Sequence, residues 1–370
     1  MRLGIETLLA APPAGERLGL LTHPAAVLPD LTLGLDALVA AGHPVVAVFG
    51  AEHGLRGTAQ AGFAEDATVD GGTGLPVFDT YQRSLDVLLA VADIDVLLID
   101  LQHVGARFYT YESSLYDAIG AAERAGVRVR VLDRPNPAGG EAIDGPVLRS
   151  EYASFVGRAP IPMRHGMTMG ELAGLFAVMR DVPTPEVVPM EGWHRSQTFQ
   201  ETGLVWVPPS PNLPTTTAAQ AYLGTCLFEG TNVSVGRGTT TPFEIIGAPF
   251  LDGRLAAHLR SLDLPGAAIR DCALMPAFDE YRGEQLHGVA VHVTDVGTFD
   301  PIRLALLTLT AIERLYPGML EYRGSFDRLA GTDALRSAIV AGETAAEIAA
   351  SWSADLLAFA AWRDKFLIYE

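Results

Sequence analysis

The chain has 370 residues, a formal net charge of −18 and 49% hydrophobic residues. That length points to two domains with a sizeable core and excludes a disordered chain. The acidic balance excludes nucleic acid as a partner, because phosphate binding needs clustered Lys and Arg.

Four apolar runs along the first half read as buried strands, and each ends in polar residues. RLGLLT (Arg17 to Thr22) is followed by His23. VVAVF, from Val45, runs into a turn carrying Glu52, His53 and Arg56. VLLID (Val96 to Asp100) is followed by Gln102, His103 and Arg107, and RVRVLD (Arg128 to Asp133) by Arg134 and Asn136. Helix-like stretches lie between them at Gly34 to Ala41, Leu85 to Val91 and Ser113 to Ala125. Alternating strand and helix predicts an α/β fold with a parallel sheet and right-handed crossovers. The polar strand ends then gather along one edge, where open parallel sheets bind their ligands.

GELAGLFAVMR (Gly170 to Arg180) extends the pattern as a helix, and EVVPM (Glu186 to Met190) as a strand. Thr168 and Glu171 form a capping box before that helix. The four prolines of WVPPSPNLPT (Trp206 to Thr215) forbid regular structure and mark the boundary between domains of residues 1–205 and 206–370. Beyond it, AAIRDCALMPAF and GVAVHVTDV read as strands, and three helices start near Pro301, Thr332 and Ala345. This predicts a smaller α+β domain, with a pocket at the seam. Cys226 and Cys272 are far apart and in no ligand spacing, so buried free thiols are expected. There is no apolar run of transmembrane length and no signal-peptide pattern, which predicts a cytoplasmic chain, or a periplasmic or secreted one if a leader has been trimmed.

Three further motifs offer chemistry. GARFYTYE (Gly105 to Glu112) sets Arg107, Tyr109 and Tyr111 beyond a strand end, a combination suited to a sugar with a carboxylate. DRPNPAGG (Asp133 to Gly140) offers Asp133 and Asn136 as hydroxyl ligands, against the alternative that it merely shapes a loop. EGTNVSVGRGTTTPFE (Glu229 to Glu244) resembles an anion cradle without the Walker spacing or its lysine, with Arg237 as the anion ligand. No GxSxG, HExxH or GxGxxG motif is in place, which removes support for serine hydrolases, zinc peptidases and dinucleotide enzymes. With no His, Cys or carboxylate set in ligand spacing, neither a metal nor a cofactor is expected.

The segments GLLTHPAAV, FGAEHGLRG, GLPVFDTY, DLQHVGARFYTY, LDRPNPAGG, SFVGRAPIPMRHGMTMGELA, WVPPSPNLPT, GTCLFEGTN and VGRGTTTPFEIIGAP stand in the order found in one family. The chain, from about Leu18 to Tyr369, resembles the NamZ/YbbC-like exo-β-N-acetylmuramidases of glycoside hydrolase family 171. The resemblance implies a Rossmann-like N-terminal domain, a smaller C-terminal domain and an active site in the cleft between them. It implies release of N-acetylmuramic acid from the non-reducing end of peptidoglycan fragments. The family's glutamate in its EHG motif maps onto Glu52, and its suspected tyrosine onto Tyr109 or Tyr111. Ala51, His103 and Val235 depart from the common pattern.

Cleaving a glycoside requires a proton donor and a second group to attack or stabilise the anomeric carbon. Glu52 is the expected acid. Asp100, Glu244, a tyrosine nucleophile at Tyr111 or the substrate's own acetamido group are candidates for the second role. His23, His53, Asp133, Asn136, Asn212 and Glu244 complete the expected substrate-binding set. Arg107, Arg237 and Arg56, in that order, are candidates for the lactyl carboxylate. Competing readings are a non-catalytic muropeptide- or sugar-binding protein, and an esterase or amidase acting on cell-wall fragments. The expected partner is a small muramic-acid-containing carbohydrate, and the sequence is silent on oligomeric state.

Overall fold

The computed structural model describes residues 1–57, 68–81 and 83–370. Its strands are β1 (Leu18–Thr22), β2 (Val45–Gly50), β3 (Thr68–Val69), β4 (Pro76–Asp79), β5 (Val96–Ile99), β6 (Arg128–Leu132), β7 (Glu186–Val188), β8 (Ile245–Ala248), β9 (Ala267–Leu274) and β10 (Leu286–Val293). Among the described residues, seven strands form one sheet in the order β3-β4-β2-β1-β5-β6-β7, and three form another in the order β8-β10-β9. All pairings in the first sheet are parallel except that of β3 with β4; the second sheet is antiparallel.

The runs LGLLT and VLLI are buried throughout, because helices cover both faces of the sheet. Leu18, Leu20 and Leu98 turn to one side and pack with Leu35 and Leu38 of helix Gly34–Ala40. Leu21, Phe49, Leu97 and Ile99 turn to the other and pack with Leu115 and Ile119 of helix Thr110–Ala125 and with Leu172 and Phe176 of helix Met169–Arg180. This second cluster continues into Ile246, Val289, Ile302 and Phe326, so the part built on the small sheet shares its core with the first.

The chain passes from β1 to β2 on one side and later returns to β5 on the other. The reversal puts the ligand-binding crevice of a doubly wound sheet at the carboxyl ends of β1 and β5. Strands β4 and β8 carry no clear signal: β4 is a partly exposed four-residue run, and β8 follows directly on the glycine- and threonine-rich turn. The chain from 301 to 363 holds five helices rather than the expected three: Pro301–Leu315, Gly324–Ala330, Ala334–Val340, Ala345–Ser351 and Ser353–Arg363. Gly331, left-handed at φ 81°, ends one of the unforeseen ones. Cys226 and Cys272 are free and buried. Among the described residues no helix is long and apolar enough to cross a membrane.

The C-terminal tail is stitched back to the first sheet. Tyr369 donates to Asp133 Oδ2 (2.6 Å) and Ile368 N to Glu171 Oε1 (2.9 Å). Asp133 also accepts from the Thr168 hydroxyl (2.7 Å) and from the amides of Arg134 (3.0 Å) and Gly170 (2.9 Å). Burial nevertheless pushes its pKa up to about 6, against the three hydrogen bonds from Tyr369, Thr168 and Gly170. An acid with a raised folded-state pKa binds its proton in the folded chain before the unfolded one does. Its contribution to stability therefore falls as pH rises from about 4 to about 6, and the loss persists above. Relative to Asp133→Asn, the wild type is expected to lose about 3 kcal/mol of unfolding free energy between pH 4 and pH 7. Denaturant titrations of both proteins measure it, and a pH-independent difference would show that Asp133 does not ionise in the fold.

Candidate active site

Strand β2 ends at Gly50, and the chain turns through Ala51, Glu52, His53 and Gly54, closed by a hydrogen bond from Gly54 N to Ala51 O (2.9 Å). His53 (φ 78°) and Gly54 (φ 74°) are both left-handed. Such a conformation is uncommon outside glycine and persists only where the surroundings dictate it. The turn holds Glu52 at the wall of a cleft of about 530 Å³, a size suited to a small saccharide. Thr110, at the start of its helix, donates to Glu52 Oε2 (2.6 Å), and the Tyr111 hydroxyl, whose single proton is shared between two carbonyls, lies 3.2 Å from that of Glu52 and 3.0 Å from that of Pro209.

The other walls come from Ser154 to Val156, from the stretch between Glu229 and Arg237, from Asp279 and Glu280, and from Arg323 to Leu329. The cleft thus lies between the carboxyl edge of the parallel sheet and the part built on the small sheet. Arg237 lines it, paired with Glu229 (2.5 Å) and 3.8 Å from Asp279, with its guanidinium over the Phe243 ring. Sequence reasoning missed Glu229, Asp279, Glu280, Arg323 and Arg328 as cleft residues. Glu229 lies inside EGTNVSVGRGTTTPFE, but no local pattern distinguishes it, or Arg328, from a solvated charge.

The remaining expected residues are placed elsewhere. Arg107 is fully buried and donates to the carbonyls of Pro146 (2.7 Å), Ile161 (3.0 Å) and Leu329 (2.7 Å), away from the cleft lining. Burial pushes its pKa down to about 9, still charged at neutral pH. Asp100 lies under the strand ends in a bidentate pair with Arg134 (2.5 and 3.0 Å). The hydroxyls of Tyr109 and Tyr111 both donate to the Pro209 carbonyl (2.9 and 3.0 Å), and burial raises both pKa values. A phenol so placed resists forming the phenolate that a nucleophile requires. Arg56 joins Asp36 and Asp70 at a half-exposed site instead of reaching the cleft lining.

His23 Nε2 accepts the Gln102 amide (2.7 Å) across the β1–β5 reversal, its ring against Tyr111. Burial, Arg134 and His53 hold its pKa well below the ordinary value, so the ring is neutral. Asn136 shapes its own turn, accepting from Ala138 N (2.9 Å) and donating to Met167 O (3.0 Å). Asn212 is buried in the proline-rich segment, Asp133 holds the tail, and the Glu244 carboxylate accepts a long bond from Thr215 (3.5 Å); none of the three lines the cleft. His53 is buried in the turn beside Glu52.

Among the described residues, one group could hold a metal ion: His103, Glu112 and His165, all buried, with ligand atoms within 4.8 Å of one another. Its members lie 9 and 53 residues apart, which no ligand spacing reveals. His103 Nδ1 and His165 Nε2 lie 3.0 and 3.4 Å from Glu112 Oε1. Burial opposes the Glu112 charge, but these hydrogen bonds outweigh it and hold the pKa below the ordinary range. The contacts within the trio all fall on Glu112 Oε1, while Glu112 Oε2 and His103 Nε2 are buried with no hydrogen-bond partner among the described residues.

A doubly wound sheet roofed by a small antiparallel domain, with an acid on the cleft wall and no dinucleotide loop, defines a two-domain α/β protein acting on a small molecule. Family models described as exo-beta-N-acetylmuramidase NamZ, N-terminal and C-terminal, match residues 18–217 and 220–369, and the chain belongs to that family. It is 43% identical to the peptidoglycan beta-N-acetylmuramidase NamZ of Bacillus subtilis (strain 168), over 100% of this chain and 91% of that one. Two solved DUF1343 family proteins from Bacteroides fragilis NCTC 9343 are similar in structure. One has a TM-score of 0.90 at 31% identity and the other 0.82 at 30%, each covering 100% of this chain and 99% of its own.

Two expectations follow. Arg107→Met removes a buried donor from three carbonyls and is expected to cost roughly 3 kcal/mol or more of unfolding free energy; an unchanged denaturation midpoint would rule out the clamp. Dialysis against EDTA should leave the melting temperature unchanged, whereas a fall restored by a divalent ion would make the His103 cluster a metal centre.

Proposed function

We propose that this protein is an exo-acting glycosidase that releases N-acetylmuramic acid from the non-reducing end of peptidoglycan-derived glycans, in cell-wall turnover and recycling. The observation that carries the reading is Glu52, fixed by a strained turn on the wall of a saccharide-sized cleft in a chain of the NamZ family. The activity named for the Bacillus subtilis relative supports the substrate class.

Glu52 is the proton donor to the leaving oxygen. Thr110 engages one carboxyl oxygen, which fixes the plane of the group at the cleft wall. The second group is not drawn from Asp100, Tyr109 or Tyr111, whose functional atoms are engaged beneath the cleft. The substrate's acetamido oxygen fills the role without any protein nucleophile, in the substrate-assisted manner known for other glycosidases. An esterase or amidase would need a serine beside a base, and among the described residues no histidine lines the cleft with Ser154, Ser234 and Ser325.

Incubation with a chromogenic β-N-acetylmuramide beside its β-N-acetylglucosaminide counterpart tests the reading, with cleavage of the muramide expected. Glu52→Gln preserves shape and cannot donate a proton, so turnover should drop at least ~10²-fold with the fold intact. Near-normal turnover by the folded variant would remove Glu52 from the mechanism, and binding of the muramide without cleavage by the wild type would favour a sugar-binding protein.

A further inference from the structure

Among the described residues, the cleft is lined by four carboxylates, Glu52, Glu229, Asp279 and Glu280, against three arginines, Arg237, Arg323 and Arg328. An anionic ligand entering such a site must meet a cation whose charge is not already neutralised. Arg237 is paired with Glu229 and flanked by Asp279, and Arg323 is paired with Glu280. Among the described residues Arg328 has no carboxylate within ion-pair distance; its neighbour Asp327 is taken by Arg336 (2.8 Å).

Arg328 is also held in place. It lies in the last turn of helix Gly324–Ala330, where a cation complements the helix dipole. That helix end is fastened to the domain that carries Glu52. Arg107 donates to the Leu329 carbonyl (2.7 Å), and the Arg149 amide donates to the Gly331 carbonyl (2.9 Å). Gly331 permits this approach, since a Cβ there would sit 2.8 Å from an Arg107 guanidinium nitrogen. The position of Arg328 relative to Glu52 is therefore set by buried hydrogen bonds and not by loose packing between the two parts.

We propose that Arg328 is the anion anchor of the cleft, receiving the carboxylate of the substrate's lactyl ether, and that Arg107 is a positioning residue acting through it. The assignment rests on the muramidase reading above. It explains how an acidic chain selects an acidic sugar. The reducing-side remainder of the substrate needs no carboxylate for this contact, so selectivity falls on the sugar that is released.

The test compares a chromogenic β-N-acetylmuramide carrying a free lactyl carboxylate with its lactyl methyl ester. In the wild type the acid should be preferred, and in Arg328→Met the acid-to-ester ratio of kcat/KM should collapse by about 10- to 100-fold, chiefly through KM. Arg328→Lys keeps the charge without the fork and should recover part of the ratio. Arg328 is exposed, so an unchanged melting temperature is expected and separates the effect from misfolding. A ratio unchanged in Arg328→Met overturns the anchor while leaving the muramidase reading intact. If the wild type cleaves neither substrate, the muramidase reading fails, and calorimetric binding of N-acetylmuramic acid and its methyl ester decides the anchor. An Arg328-dependent preference for the free acid sustains it, and equal binding by wild type and Arg328→Met overturns it.

Discussion

The Arg107 guanidinium is buried with no carboxylate partner among the described residues, and is shared among carbonyls of Pro146, Ile161 and Leu329. Desolvating a cation is expensive, and only dense hydrogen bonding offsets it. The third acceptor lies 222 residues away in sequence, so the charge is satisfied only when the two parts are docked. Docking thus has an all-or-none character beyond that of the shared apolar core. The loop bearing Ser154 to Val156 and the helix bearing Arg328 meet around this contact, and both line the cleft.

Below the cleft, the polar residues at the strand ends bond to one another, though His23 Nδ1, His103 Nε2 and Glu112 Oε2 are buried with no partner among the described residues. Arg134 answers Asp100, Gln102 answers His23, and the two histidines share Glu112. Such a layer sits in a low-dielectric interior where an unanswered polar group is costly and an answered one is rigid. It forms a fixed floor on which the Glu52 turn and the Pro209 loop rest, the latter through both tyrosine hydroxyls.

The parallel sheet was legible because fully buried strands leave continuous apolar runs, and the polar ends of four of them lie along the edge that faces the cleft. That logic could not tell floor from wall. Arg107, Asp100 and the tyrosines look like ligands in a linear reading, since a cation or hydroxyl beyond a strand end usually meets solvent. Here the second part covers them. Glu52 was distinguishable by its place just beyond an apolar strand and by the EHG motif of the family it resembles, whereas the left-handed His53 beside it leaves no sequence signal. Glu229, Asp279, Glu280, Arg323 and Arg328 come from separate stretches of the second half, and their convergence is a property of the tertiary fold of that part. The extra closing helices were missed for a local reason: Gly331 and Trp352 divide what apolar periodicity alone would run together.

The division of labour between the two parts follows from these placements. Glu52 stands on the sheet edge, while the cleft arginines stand on the opposite part. A sugar bearing both a glycosidic oxygen and an anionic substituent can engage both walls at once. One lacking the anion engages a single wall and is not held against the acid. Because orientation contributes to the rate only when the reacting oxygen is held near the proton donor, recognition of the substituent and catalysis at the glycosidic bond become one event. The buried contacts that dock the two parts are then as much a part of catalysis as the acid itself.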